Sequence, residues 1–432
     1  MNFFRTQSLR TFAGLLFAST MARAESPAIV ATAERPPLST LVEEIVLHHP
    51  ELKFYEAELD AARAGRRAAG AWSDPELSVQ GGRKRVRDVA GSIAGEGNAW
   101  SVSVSQTFEW PGRLGLRKSI ANRQIELAEL GLERFRTALR ARARWLAFEL
   151  WIAAEKSAAT AEVAQRYQSL REIFLARDPA GITPLLETRV IEAQELSLKR
   201  RATTAEVAAK GALVELNQLR GVPLDAPAQP FAPQLTVSAG PSLDRLLAAA
   251  QENNFEFRVR TTELQQQGLA VALARNERQP SVTVSPFVSQ ERAGEKETVI
   301  GLGLSVPLPL ASRNRAGVDL AEARRRQAEA MMQMTHRNLE REVTVAAQTF
   351  QLKRSTWAEW KADSVEKFRD AAATADRHFR LGAVPLGTYV ELQNSYLDAV
   401  EALLDTQREV QEAAQQLEQL TGLNLNVGES AP

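Results

Sequence analysis

The chain has 432 residues, with 53 Lys+Arg against 53 Asp+Glu and a charged fraction of 25%. That is the balance of a folded protein, not of a disordered tail or a nucleic-acid binder. Cysteine is absent and histidine numbers four (His48, His49, His336, His378), which excludes disulfides, thiolate metal sites, cysteine nucleophiles and a lipid on an N-terminal Cys.

The first 24 residues read as an export signal. Arg5 and Arg10 precede an apolar stretch from Thr11 to Ala18, and Ala22-Arg23-Ala24 gives the small-x-small pattern of a cleavage site. Removing its three Arg leaves 50 bases against 53 acids, a net charge of −3. Residues 25–37 read as an N-terminal extension. No later run approaches the ~18–20 uninterrupted apolar residues of a membrane-spanning helix. The richest stretch, Trp145 to Ala154, is broken by Glu149.

The remainder repeats itself. Leu38-Ser-Thr-Leu…His49-Pro-Glu-Leu52 returns as Leu243-Asp-Arg-Leu…Asn254-Phe-Glu-Phe257, displaced by 205 residues. Gly181-Ile-Thr-Pro184-Leu185 returns as Gly382-Ala-Val-Pro385-Leu386, and Leu219-Arg-Gly221 as Leu420-Thr-Gly422, both displaced by 201. The copies span 38–221 and 242–422, joined by a linker over 222–241 that is rich in proline. A tail follows over 423–432. Each copy predicts a short and a longer helix (about 38–49 and 51–70; about 242–253 and 255–278), two strands, a very long helix, a Gly/Pro turn and a second long helix. His48 and His49, before Pro50, read as a turn or cap.

The strands are expected at about 76–85, 100–109, 280–290 and 298–307, from their alternation of period two. Trp100, Val102, Val104, Phe108 and Trp110 share one face, and Ser101, Ser103, Ser105 and Thr107 the other. Ile300, Leu302, Leu304 and Val306 alternate with Gly301, Gly303 and Ser305. The polar, Gly-rich stretches Asp88 to Asn98 and Glu291 to Glu297 read as turns in water. In the helices, Ile125, Leu132, Leu139, Leu146, Ala153, Thr160, Tyr167 and Phe174 recur every seven residues, as do Tyr389, Tyr396, Leu403, Val410 and Leu417. Such spacing makes helices supercoil around neighbours. The stretch from Leu114 to Arg177 would run roughly 96 Å at ~1.5 Å per residue.

The strands are near the ~9–11 residues that cross a bilayer obliquely, with one apolar face. Only a closed barrel satisfies every backbone group in lipid, and the smallest have ~8 strands. Four strands per chain therefore require a shared barrel: two copies give eight, three give twelve. Eight leave an interior filled by side chains, whereas twelve leave room for water. Trp100 and Trp110 fit the aromatic girdles of such barrels. A soluble coiled-coil scaffold with a small water-exposed sheet fits the helices equally well.

With these features the chain resembles the outer-membrane efflux proteins of the TolC type over essentially its whole mature length. The residues carrying the resemblance are Arg380-Leu-Gly382-Ala-Val-Pro-Leu386…Glu391-Leu-Gln, its first-copy counterpart, and the proline-bounded strand exits. Val306-Pro-Leu-Pro309-Leu310…Arg313-Asn-Arg315 and Phe108-Glu-Trp-Pro111-Gly112-Arg113 look like the heavy-metal branch (cobalt-zinc-cadmium and copper-silver). The resemblance implies an α+β membrane protein: a homotrimer with a twelve-stranded barrel in outer-membrane lipid, continued by a long helical tunnel across the periplasm. Its partners would be a periplasmic adaptor (membrane fusion) protein and an inner-membrane pump of the RND class. The function implied is a passive, gated conduit, with heavy-metal cations as cargo. The exit duct of a type I protein-secretion or drug-efflux system uses the same architecture and stays open. No nucleic-acid partner, cofactor, resident metal or catalytic residue is expected: there is no Gly-rich phosphate loop followed by Lys-Ser/Thr and no triad or paired-carboxylate constellation.

Site expectations follow. Gly181 with Pro184, and Gly382 with Pro385, mark hairpin turns at the periplasmic tips, where an adaptor would dock. In TolC-type channels acids six and nine positions after this glycine ring the entrance. The matching positions here are Thr388 and Glu391 in the second copy, and Glu187 and Val190 in the first, so Thr388 departs from the pattern. One Glu391 per protomer would still favour cations. Arg177, Arg189 and Arg380 are candidates for ion pairs between neighbouring hairpins that hold the tunnel shut. Trp100, Val102, Val104, Phe108, Ile300, Leu302, Leu304 and Val306 form the expected lipid face. Met331, Met332 and Met334, with His336, read as packing residues in preference to metal ligands. Arg83-Lys-Arg85 is placed where a strand meets lipopolysaccharide phosphate, and Arg324-Arg-Arg326 on a solvated helix face.

Overall fold

The computed structural model describes residues 38–175, 182–227, 240–308, 311–360 and 363–425. In chain order the elements are α1 (Leu38–His48), α2 (Leu52–Ala69), β1 (Glu76–Arg87), β2 (Ile93–Phe108), α3 (Arg113–Leu175), α4 (Ile182–Arg220), α5 (Leu243–Asn253), α6 (Phe255–Asn276), β3 (Val282–Ala293), β4 (Glu295–Ser305), α7 (Ala311–Glu359), α8 (Ser364–Arg380) and α9 (Leu386–Thr421). The expected signal and extension, the middle of the linker and the end of the tail lie outside the described residues.

The 63-residue α3 is about 95 Å long at ~1.5 Å per residue. Its heptad seam is its buried edge: Leu132, Leu139, Leu146, Ala153, Thr160 and Tyr167 are all buried. Ile125 is partly buried against Leu52 and Leu59, and the Phe174 side chain lies outside the described set. α4 returns antiparallel along α3, as the ion pairs Arg142–Glu215 and Arg171–Glu195 (3.3 Å) show. α9 also runs antiparallel to α3: Lys156 Nζ meets Asp405 Oδ1 at 2.9 Å, and Gln415 Nε2 donates to the Ala141 carbonyl at 2.6 Å. On its other side α9 packs against α7 and α8. In the second seam Tyr389, Tyr396, Val410 and Leu417 are buried, but Leu404 takes the buried place expected of Leu403.

The second copy departs from the sequence reading by breaking its long helix. α7 stops at Glu359 and α8 begins at Ser364. α9 spans the break, packing on α7 through Val410 and Leu417 and on α8 through the Tyr389 region. The last turn of α9 ends on Gly422 at φ +66°, whose N–H bonds the Glu418 carbonyl at 2.7 Å. Asn253 and Asn254, at the α5–α6 corner, donate to the carbonyls of Thr421 (3.2 Å) and Leu420 (3.1 Å), satisfying acceptors that a helix end leaves open. In the first copy the matching corner uses His49, whose Nδ1 accepts from the Glu51 N–H at 3.3 Å.

The four strands form one antiparallel sheet in the order β1-β2-β3-β4. The polar stretches expected to be turns are largely strand. β2 begins at Ile93, and the first turn is confined to Asp88–Ser92, closed by Asp88 N–H to the Ser92 carbonyl (2.9 Å) with Gly91 at φ +81°. β3 and β4 meet at Gly294, φ +100°. Apolar alternation stops where the strands leave the apolar layer, but backbone pairing does not. Val306 lies one residue beyond β4, still exposed.

One sheet face is small and polar. Ser105 and Ser285 share a hydroxyl contact at 2.9 Å, as do Thr107 and Thr283, and Phe287 lies across Gly301, where a Cβ would come within 2.6 Å of the ring. The other face stacks apolar rows: Val79–Val102–Val288–Ile300, then Leu77–Val104–Pro286–Leu302. Val79, Leu77, Val104, Ile300, Leu302 and Leu304 are all exposed there. Trp100 and Phe108 share this face, with Trp110 beyond the strand end. No described helix is long and apolar enough to cross a membrane.

Candidate channel entrance

The α8–α9 hairpin supplies the second-copy tip. α8 closes through Gly382 at φ +74°. The Gly382 N–H bonds the Phe379 carbonyl and the Ala383 N–H the His378 carbonyl, both at 2.9 Å. This paired closure requires a left-handed residue, which glycine supplies without strain. Pro385 then occupies the N-cap, not the first helical turn, with φ −69° and ψ 155°. In the first copy Arg177 and Gly181 lie outside the described residues, and Pro184 sits in the first turn of α4.

Behind the tip is an aromatic cluster. Tyr167 of α3 meets Tyr389 of α9 edge-on at 5.4 Å, and Phe379 of α8 stacks on Tyr389 at 5.0 Å. Both tyrosine hydroxyls are buried without a hydrogen-bond partner among the described residues, and burial pushes both phenols well above the usual tyrosine range. One turn further from the tip lies a polar clamp. Gln393, fully buried, donates to the Ala372 carbonyl at 2.7 Å and accepts from Arg166 at 2.9 Å. Glu162 takes Arg166 (2.7 Å), Arg369 (3.1 Å) and the Tyr396 hydroxyl (3.2 Å). The clamp ties α3, α8 and α9 together. Sequence reasoning missed it because its members come from three distant segments; the one local sign was a Gln inside the Tyr389–Tyr396 seam.

The opposite side of α9 presents the expected entrance residues. Thr388 and Glu391 are exposed, three positions apart on one face, and Glu391 makes no ion pair with any described residue. Glu187 of α4 is half-buried, and Val190 is 41% exposed. The structure therefore brings Thr388 and Glu391 together on one face, and it places Glu187 on a separate helix. Of the expected arginines, the two described are engaged within their own helices: Arg189 with Glu192 at 2.6 Å and Arg380 with Asp376 at 3.0 Å. On α7, His336 faces Glu340 at 3.6 Å and the Phe257 ring at 5.9 Å, while Met331 and Met334 are exposed. Among the described residues no cluster of three or more His, Asp or Glu could hold a metal ion.

A family model described as outer membrane efflux protein matches residues 41–222 and again 246–423. The chain belongs to the outer membrane efflux protein family. It is a channel component of the outer membrane that extends into the periplasm, and it is not an enzyme. A nickel-cobalt-cadmium resistance protein, NccC, from Alcaligenes xylosoxydans xylosoxydans is 25% identical over 317 residues, covering 70% of this chain and 68% of that protein. The fold is shared with CusC (TM-score 0.70, 18% identity, covering 89% and 91% of the two chains). It is shared equally with the Campylobacter jejuni outer membrane channel CmeC (TM-score 0.71, 17% identity, 91% and 87%).

Proposed function

We propose that three copies of this chain close a twelve-stranded barrel and a twelve-column helical tunnel, and that this conduit exports heavy-metal cations. One observation carries the stoichiometry. The sheet and the helical layer are both open, and open on the same two sides. β1 and β4 are the free sheet edges. Among the described residues the packing order of the long helices is α4, α3, α9, then α7 with α8, and no extensive interface joins α4 to α7 or α8. First-copy elements thus end one side of both layers, and second-copy elements end the other. A rotation that seats β4 against a neighbouring β1 also seats α7 and α8 against the neighbouring α4. Open strand edges in lipid are untenable, and closure by rotation is how heterologous contacts become rings. Two copies would give eight strands and a filled interior; three give a lumen.

The periplasmic hairpin tips, Gly382-Ala-Val-Pro385 and its first-copy counterpart, would receive the adaptor, and the energy would come from an inner-membrane pump. Three Glu391 carboxylates around the entrance would favour cations, and the likeness to NccC supports metals as cargo. The test is deletion of the gene in its host. Sensitivity to nickel, cobalt or cadmium should rise before sensitivity to detergents or dyes; the reverse order would assign the channel to drug export.

A further inference from the structure

We infer that the outer face of β1 carries a docking strip for the phosphate groups of outer-leaflet glycolipid, made by Arg83 and Arg87 with Arg85 between them. The inference rests on the sheet forming part of a membrane barrel. The alternation of β1 places Leu77, Val79, Gly81, Arg83, Arg85 and Arg87 on one face. Gly81 pairs with Trp100 of β2, one row above the apolar row Val79–Val102. An aromatic residue at that level marks where hydrocarbon gives way to headgroups. Arg83 stands one row beyond it, about 7 Å further along the strand, with Arg85 and Arg87 following. This end of the sheet is remote from the helices, because α2, α3, α6 and α7 all attach at the opposite strand ends. With the helices in the periplasm, the arginines sit at the outer leaflet.

The charge is sorted by face. Lys84, between the arginines, points to the small-residue face and meets Glu291 and, at 3.7 Å, Glu297. On the outer face Glu96 pairs with Arg85. Arg83 and Arg87 are exposed and have no acidic partner among the described residues. Four cations within five positions are thus divided: the inward one is neutralised, whereas the outward set keeps a surplus of two. Guanidinium groups bind phosphate bidentately, and bases beside an anionic lipid surface are drawn to it.

The experiment uses the intact protein reconstituted into phosphatidylcholine vesicles with and without diphosphorylated lipid A, and measures lipid A retained after mild detergent extraction. The wild-type protein should retain it. R83Q/R87Q should lose apparent affinity by roughly thirtyfold, and R83K/R87K should keep most of it. Equal retention by the glutamine variant would overturn the proposal, as would equal retention by wild-type protein of lipid A stripped of its phosphates. Inorganic phosphate displacing the lipid at matched concentration would reduce the strip to a simple anion site and would also overturn it. Failure of the wild-type protein to insert into either vesicle would overturn the barrel instead, so the two failures are distinguishable.

Discussion

The hairpin tip offers a prediction in which one substitution has opposite signs five residues apart. Gly382 sits at φ +74°, and a Cβ added there would meet nothing within 4 Å. The cost of Gly382→Ala is therefore conformational, about 1–2 kcal/mol for an L-residue in the left-handed region. Gly387, exposed in the first turn of α9, has equally open surroundings, and its φ is not positive. Gly387→Ala should gain about 0.8–1.0 kcal/mol of helix propensity. The assay is amide hydrogen exchange on the intact channel, read at the Gly382 and Ala383 N–H groups, which close the hairpin onto Phe379 and His378. Gly382→Ala should speed their exchange by a factor of about 5–30; Gly387→Ala should slow, several-fold, exchange of the Tyr389 N–H, which bonds the Pro385 carbonyl at 3.2 Å. Unchanged exchange in Gly382→Ala, or shifts of the same sign in both variants, would refute the turn geometry.

Glu391→Gln should reduce the cation preference of reconstituted channels, seen as a shift in reversal potential under a salt gradient; an unshifted potential would remove Glu391 from the conducting path. The three seam tyrosines should respond differently to phenylalanine. Tyr167→Phe and Tyr389→Phe remove buried hydroxyls that lack a partner among the described residues, so the urea midpoint should hold or rise. Tyr396→Phe removes a bond to Glu162, worth about 1.5–3 kcal/mol to a charged acceptor, so the midpoint should fall. Glu149 of α3 is held above the ordinary carboxylate range, chiefly by burial, against the pull of Arg408 and Lys156. A carboxyl raised in the folded state makes the fold less stable as pH climbs past its unfolded value. Glu149→Gln should therefore raise the melting temperature at neutral pH and flatten its decline between mildly acidic and neutral pH. A lower melting temperature at neutral pH would contradict that reading.

Much of the fold was legible because its signals are periodic. The seven-residue recurrence from Leu132 to Tyr167 coincides with the buried edge of α3, and the alternation through Trp100, Val102 and Val104 coincides with one sheet face. What failed to show was non-periodic or non-local. The outer parts of β2 and β4 carry Glu96, Asn98, Glu295 and Lys296 in regular pairing, and hydropathy cannot distinguish a strand in water from a turn. The separation of α7 from α8 has no glycine or proline to announce it, although both helices pack on α9. At the entrance, Thr388 and Glu391 were placed by spacing from Gly382, whereas the clamp of Arg166, Glu162, Arg369 and Gln393 unites three helices that no local pattern connects.

The shared barrel is tested most directly by joining β1 of one copy to β4 of the next. The chain has no cysteine of its own, so single cysteines placed on the small-residue faces of β1 and β4 give an unambiguous readout. Oxidation of the membrane-embedded protein should yield a covalent ladder on a denaturing gel that stops at three chains. Cross-links that form only within one chain, or a ladder that stops at two or runs past three, would contradict the account.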